Sequence, residues 1–131
     1  MQREQPLILV VDDEMHILHV VRMKLVNAGY DVITAEDGEQ AFEMAMQHRP
    51  DMVITDYQMP YMTGLELCLK LKEQEQTAAT PALMLTARGL SLPQTYLDQT
   101  NINGVISKPF SPREILAHVE QLLTPNVSSA A

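Results

Sequence analysis

The sequence has little cysteine, little positive charge and no long apolar segment, and each of these absences narrows what the chain can be. The single cysteine, Cys68, excludes an internal disulfide and a cluster of thiolate metal ligands, and it fits a reducing cytoplasm. With 9 basic against 17 acidic side chains, the net charge of −8 argues against direct binding of nucleic acid, which requires clustered Lys and Arg. No apolar run approaches the length of a membrane span, and residues 1–5 lack the apolar stretch of a signal peptide. We therefore expect a soluble, cytoplasmic protein without membrane insertion.

The apolar content is sufficient for one compact domain of ordinary size. Of the 131 residues, 46% are hydrophobic, and the lack of Trp does not prevent a core from forming. Short apolar, β-branched runs alternate with longer stretches of helical period, and the continuously apolar runs are typical of strands covered on both faces. The predicted strands are Leu7–Val11, Val32–Ala35, Met52–Thr55, Ala82–Thr86 and Gly104–Ser107.

The starts of three predicted helices carry a capping signal. Asp37, Thr63 and Ser111 each precede Glu or Gln by three positions, which is the pattern of a capping box. The first helix has an apolar stripe that ends near Gly29, whereas the fourth, placed at Pro93–Thr100, has none. Five strand–helix repeats predict a doubly wound α/β fold: a parallel sheet with helices on both faces and its ligand site at the carboxyl ends of the strands.

Polar and charged side chains stand where these strands end. The first strand is followed by Asp12 and Asp13, the third by Asp56 and the fifth by Lys108, while Thr86 ends the fourth. Three carboxylates at one sheet edge repel one another unless a cation binds, and oxygen ligands suit Mg²⁺ better than zinc or copper. A lysine and a hydroxyl opposite them supply a positive charge and a hydrogen-bond donor for phosphoryl oxygens. The set predicts a site at which a carboxylate attacks phosphorus in line.

Four motifs give the sequence a family resemblance. They are Leu-Val-Val-Asp-Asp-Glu at 9–14, Pro-Asp-Met-Val-Ile-Thr-Asp-Tyr-Gln-Met-Pro-Tyr-Met-Thr-Gly at 50–64, Leu-Thr-Ala-Arg at 85–88 and Ser-Lys-Pro-Phe at 107–110. In this order and at these spacings, the chain resembles the receiver domain of two-component response regulators from Leu7 to about Leu123. The resemblance implies a CheY-like, flavodoxin-like (βα)5 fold with strand order 2-1-3-4-5.

The resemblance also implies roles for the acidic residues. Asp56 would be the phosphoacceptor, and Asp13 and Asp56 would bind Mg²⁺ directly. Asp12 would bind the ion through water, and the backbone carbonyl of Gln58 would complete the protein ligands. Taken alone, Asp12 and Asp13 are equally well explained as caps of the first helix, where acidic groups favour the helix dipole.

Further roles follow for residues near the ends of the last two strands. Lys108 would pair with the phosphoryl group, or with Asp56 before that group arrives, and Thr86 would move its hydroxyl onto the phosphate. The Lys108–Pro109 bond is expected to be cis. Val105 stands where such domains usually carry an aromatic residue that turns inward with the threonine, so coupling from Thr86 to the surface is expected to be weaker or to follow another route.

The resemblance implies a signalling function carried out through protein partners. A sensor histidine kinase or a histidine phosphotransfer protein would donate the phosphoryl group, and the phosphorylated domain would bind a downstream protein or output domain, with a phosphorylation-dependent homodimer as a further possibility. The domain would not be an enzyme beyond its own phosphorylation and slow dephosphorylation. We expect the receiver domain to occupy residues 1–124, followed by a tail or the start of a linker at 125–131.

Two other functions compete with this hypothesis. Val105 and the weak fourth helix favour a module that keeps the receiver fold and binds partners without phosphorylation. A magnesium-dependent phosphatase with an aspartate nucleophile is the third alternative. Phosphatases of the haloacid-dehalogenase type carry a second Asp two residues after the nucleophile, and this chain has Gln58 there.

Overall fold

The computed structural model describes residues 5–87 and 92–123, so Arg88 of the third motif and the predicted tail at 125–131 lie outside the described residues. Strands and helices alternate through the described chain. The strands are β1 (Leu7–Val11), β2 (Asp31–Ala35), β3 (Met52–Asp56), β4 (Ala82–Thr86) and β5 (Ile102–Ser107), and the helices are α1 (Met15–Asn27), α2 (Gly38–His48), α3 (Gly64–Lys72), α4 (Gln94–Asp98) and α5 (Pro112–Leu122). None of these helices is long and apolar enough to cross a membrane.

The strands form one parallel sheet in the order β2-β1-β3-β4-β5, which confirms the predicted fold class. Alternate residues of β1 point into different halves of the core, because successive side chains of a strand face opposite sides of the sheet. Ile8 and Val10 belong to the cluster that contains the buried residues of α1 and α5. Leu9 and Val11 belong to the cluster that contains those of α2 and α3. Both faces of the sheet are therefore covered, and the strand ends are left for the site.

Two of the three predicted capping boxes are present. The Thr63 and Ser111 side chains accept hydrogen bonds from the backbone N–H of the third residue of their helices, and the Glu side chain at that position accepts one from the backbone N–H of the cap residue. Asp37 accepts from the Gln40 backbone N–H at 2.8 Å, but the Gln40 side chain accepts from the Glu36 backbone N–H instead. The third box is therefore incomplete.

The region between β4 and β5 departs most from the prediction. Helix α4 covers Gln94–Asp98 and is shorter than the predicted Pro93–Thr100. Thr100 lies beyond the end of the helix, and its hydroxyl donates a hydrogen bond to the Tyr96 carbonyl. Strand β5 begins at Ile102 instead of Gly104. Ile102 pairs with Ala82, and the next pair joins Gly104 to Leu83, so a register irregularity separates the two halves of β5. Because of this irregularity, the start of β5 was not predicted correctly from the sequence.

Candidate functional site

The carboxyl ends of four neighbouring strands bring the predicted site residues to one edge of the sheet. Asp12 directly follows β1, Asp56 and Thr86 are the last residues of β3 and β4, and Lys108 directly follows β5. The backbone N–H of Lys108 donates to the Thr86 carbonyl at 2.7 Å, which ties the ends of β4 and β5 together. These positions follow from parallel strands in register, as the sequence predicted.

Three carboxylates lie together at this edge. Asp12, Asp13 and Asp56 each offer a carboxylate oxygen, and these oxygens lie within 4.8 Å of one another. Asp12 and Asp56 are buried, whereas Asp13 is exposed to solvent. Burial, followed by the charge of Asp12, raises the pKa of Asp56 to about 6 from its ordinary value of 3.8. An all-oxygen set of this kind fits a hard divalent cation such as Mg²⁺, which would relieve the repulsion among the carboxylates.

Lys108 neutralises part of this negative charge. Its ammonium nitrogen Nζ lies 3.2 Å from Asp12 Oδ2 and 3.2 Å from Asp56 Oδ1. Burial by itself would lower the pKa of Lys108, but the carboxylates of Asp12 and Asp56 outweigh it and raise that pKa to about 12. Lys108 is therefore charged at neutral pH and bound directly to the strand-end carboxylates.

Glu14 also binds Lys108, and sequence reasoning missed this contact. Its Oε1 lies 3.2 Å from Lys108 Nζ, the same distance as the two aspartate oxygens. Glu14 is the N-cap residue of α1, and its backbone N–H donates to Asp12 Oδ1 at 3.0 Å. Asp12 thus contacts the start of α1 as well as the lysine. The Asp-Asp-Glu run places a third acidic residue next to the strand-end pair, but nothing in the sequence indicated which group it would contact.

Thr86 contributes a buried hydroxyl. The residue is fully buried, and its Oγ1 has no hydrogen-bond partner among the residues that the structure describes. A buried hydroxyl without a partner loses its bonds to water without compensation, so the Thr86 hydroxyl has a hydrogen to donate to an incoming group. The neighbouring Lys108–Pro109 bond is cis, as the resemblance implied.

The loop after β3 packs tightly beneath Asp56. The backbone N–H of Gly64 donates to the Tyr57 carbonyl at 2.9 Å, and a Cβ atom at position 64 would collide with the Asp56 backbone carbonyl. Glycine is therefore required where α3 begins. Gln58 lies exposed in this loop, two residues after Asp56, and the role of its carbonyl as a ligand stays a prediction.

Tyr61 has an unusual conformation in the same loop. Its φ of 70° lies in the left-handed region, and the Met62 backbone N–H donates to the Pro60 carbonyl at 2.8 Å, which is a γ-turn bond around Tyr61. The Met62 side chain packs against Gly38 at the start of α2, whereas the Tyr61 residue is 97% exposed. The turn therefore holds an aromatic side chain in solvent on the loop between β3 and α3.

Val105 lies on β5 and is exposed on the surface. A valine has a single short side-chain torsion, so it cannot alternate between a buried and an exposed position as a longer side chain can. That coupling from Thr86 to the surface is weaker or follows another route stays a prediction.

Comparison with known proteins assigns the family. Residues 8–120 match the family model described as the response regulator receiver domain. The alkaline phosphatase synthesis transcriptional regulatory protein PhoP of Bacillus subtilis is 40% identical over 116 residues, which make up 88% of this chain and 48% of that protein. The chain spans about half the length of the curated relatives it matches.

Two solved structures agree in fold and align over most of both chains. The chemotaxis protein CheY4 of Vibrio cholerae aligns with a TM-score of 0.82 at 36% identity, covering 90% of this chain and 98% of that one. The receiver domain of a sensor histidine kinase from Pseudomonas aeruginosa, with a magnesium ion coordinated in its active-site cleft, aligns with a TM-score of 0.79 at 27% identity and covers 89% of this chain and 96% of that one. This chain therefore belongs to the receiver domains of two-component response regulators, which are phosphorylation-dependent signalling modules and not classical enzymes.

Proposed function

We propose that Asp56 accepts the phosphoryl group of this receiver domain. The observation that carries the proposal is the direct ion pair between the buried Asp56 carboxylate and Lys108, with two further carboxylates beside it. A carboxylate oxygen of Asp56 would form a bond to phosphorus while the bond from phosphorus to the donor breaks. The leaving atom, a nitrogen of the phosphodonor, keeps the electron pair of the broken bond.

We propose that the acidic residues also hold Mg²⁺. Asp13 and Asp56 would bind it directly, Asp12 would bind it through water, and the Gln58 carbonyl would add a further oxygen. The support is the oxygen-only donor set within 4.8 Å. When bound, the ion supplies positive charge that lowers the repulsion between Asp56 and an incoming phosphoryl group.

Lys108 and Thr86 would bind the phosphoryl oxygens that the cation does not contact. Lys108 is charged at neutral pH, because its pKa is raised to about 12 by the carboxylates around it. Thr86 has a hydroxyl that is free to donate among the described residues. Together they would supply a charge and a hydrogen bond where negative charge develops. From the family resemblance we also propose slow self-dephosphorylation and no further turnover.

We propose that the donor is a sensor histidine kinase or a histidine phosphotransfer protein. Its phosphohistidine would transfer the group to Asp56, and the change at Thr86 would alter binding to a downstream protein or an output domain, with a phosphorylation-dependent homodimer as one form of output. The net charge of −8 supports protein partners over direct contact with nucleic acid. Within the same proposal the domain works in the cytoplasm, where the free thiol of Cys68 would stay reduced.

The proposal is tested with a small phosphodonor, because no partner has to be known. Wild-type protein and Asp56→Asn are incubated with phosphoramidate, with and without Mg²⁺, and the intact mass is measured. We expect one phosphoryl adduct on the wild-type protein that requires Mg²⁺, and no adduct on Asp56→Asn. Asp98→Asn, in exposed α4, is the matched control and should be phosphorylated like the wild-type protein.

Two results would contradict the proposal. An adduct of equal yield on Asp56→Asn would place the phosphoryl group elsewhere. A folded wild-type protein that forms no adduct would favour the second candidate, a phosphorylation-independent binding module, which the exposed Val105 and the short α4 support.

A further inference from the structure

Lys108 has one more anionic partner than the proposed chemistry uses. Its Nζ lies 3.2 Å from oxygens of Asp12, Asp56 and Glu14, and a lysine ammonium has three hydrogens to donate. Asp12 and Asp56 are assigned to the cation and the phosphoryl group, whereas Glu14 has no assigned role. The contact joins residues 94 positions apart in the chain, so it is a product of the fold and not of local sequence.

The three partners of Lys108 differ in burial. The Asp12 and Asp56 side chains are 0% and 8% exposed, but that of Glu14 is 61% exposed. A divalent cation at the acidic cluster needs the same buried carboxylates that hold Lys108, and two positive charges cannot share them without repulsion. Glu14 is the one partner of the three that stays available to the ammonium group at the rim.

We propose that Glu14 is a positioning residue that keeps Lys108 at the rim of the site when a divalent cation binds Asp56 directly and Asp12 through water. The inference rests on the magnesium site of the proposed function. In the cation-free protein, Lys108 divides its hydrogen bonds among three carboxylates. With the cation bound, Glu14 is its remaining anionic partner, so the Glu14–Lys108 contact strengthens. An interaction that is stronger in the bound state tightens binding of the cation.

The test measures Mg²⁺ affinity by isothermal titration calorimetry on the whole chain. We expect Glu14→Gln to weaken Mg²⁺ binding about three- to tenfold, in the range of a single charge-assisted contact. Glu14→Asp keeps the charge but shortens the side chain by one methylene, so it should weaken binding nearly as much. Glu39→Gln, which removes one exposed acidic charge from the first turn of α2, should bind Mg²⁺ like the wild-type protein.

A double-mutant cycle separates this role from simple attraction between Glu14 and the cation. In a Lys108→Met background, we expect Glu14→Gln to change Mg²⁺ affinity less than twofold, because the residue it positions is gone. An undiminished loss in that background would show that Glu14 acts on the cation directly and would overturn the proposal. Wild-type affinity in Glu14→Asp would also overturn it, since bulk charge would then be sufficient.

The magnesium site itself is checked in the same experiment. If the wild-type protein shows no Mg²⁺ binding, or Asp56→Asn binds as tightly as wild type, the magnesium site of the proposed function fails, and the role of Glu14 fails with it. If Asp56→Asn loses affinity while both Glu14 variants keep it, the magnesium site stands and the role of Glu14 alone is refuted. Circular dichroism confirms that each variant is folded.

Discussion

Replacing Asp56 by asparagine is expected to stabilise the cation-free protein at neutral pH. The pKa of Asp56 is raised to about 6 from 3.8, mainly because the carboxyl is buried and secondly because Asp12 is close. One pKa unit corresponds to about 1.4 kcal/mol, so keeping Asp56 ionised in the folded chain costs about 3 kcal/mol at pH 7.5. Asparagine has a similar shape without the charge, so most of this cost should disappear.

The pH dependence has a defined sign. Because the folded pKa lies above the unfolded one, the protonated carboxyl favours folding, and this contribution is complete below pH 3.8 and lost as the pH rises through about 6. The stability difference between Asp56→Asn and wild type should therefore be about half as large at pH 5 as at pH 7.5. Urea unfolding followed by far-UV circular dichroism measures it, since the chain has no Trp for fluorescence.

Two results would refute this reasoning. The first is an Asp56→Asn protein that is less stable than wild type in the presence of EDTA at pH 7.5, because the Lys108 ion pair would then outweigh the cost of burial. The second is a difference that does not shrink towards pH 5. Addition of Mg²⁺ provides the control, since it should raise the stability of the wild-type protein more than that of Asp56→Asn.

Other substitutions and reagents test the rest of the site. Thr86→Val should stabilise the protein by about 1 kcal/mol, because it removes a buried hydroxyl without a partner among the described residues, and a destabilised variant in urea unfolding would contradict this. Tyr61→Gly should raise the free energy of unfolding by about 1 kcal/mol, because glycine adopts a φ of 70° without strain, whereas Tyr61→Ala should change it little. Equal effects of the two substitutions would show that the backbone at position 61 is not strained. Cys68, with a pKa raised to about 12 by burial, should react with a disulfide reagent at pH 8 only after unfolding, and rapid labelling of the folded protein would contradict that burial.

The fold was predictable from the sequence because the strands are continuous apolar runs between helical segments. Strands covered on both faces need no alternation, so β1 and β4 were predicted at their observed bounds. The β4–β5 region was not, because Ile102 pairs with Ala82 ahead of a register irregularity that no local pattern signals. Helix α4 ends before Thr100, whose hydroxyl donates to the Tyr96 carbonyl. Helix propensity does not indicate a side-chain bond of this kind.

The positions of the candidate site residues were predictable for a different reason. Parallel strands end at one edge of the sheet, so residues at or just after the ends of β1, β3, β4 and β5 lie close together even though they are far apart in sequence. The contact of Glu14 with Lys108 was not predictable, because β1 and β5 are not neighbours in the sheet and the long lysine side chain reaches across the ends of β3 and β4. Side-chain reach of this kind is set by the folded geometry alone. The roles of these residues stay predictions.

Locating the phosphoryl group tests the central claim most directly. Wild-type protein is phosphorylated with phosphoramidate and Mg²⁺ and then reduced with sodium borohydride, which converts an aspartyl phosphate to homoserine. Tandem mass spectrometry of the digested protein identifies the converted residue. We predict homoserine at position 56 and at no other aspartate. Homoserine at Asp12 or Asp13, or none in a folded protein that carries a phosphoryl group, would contradict the assignment of Asp56 as the phosphoacceptor.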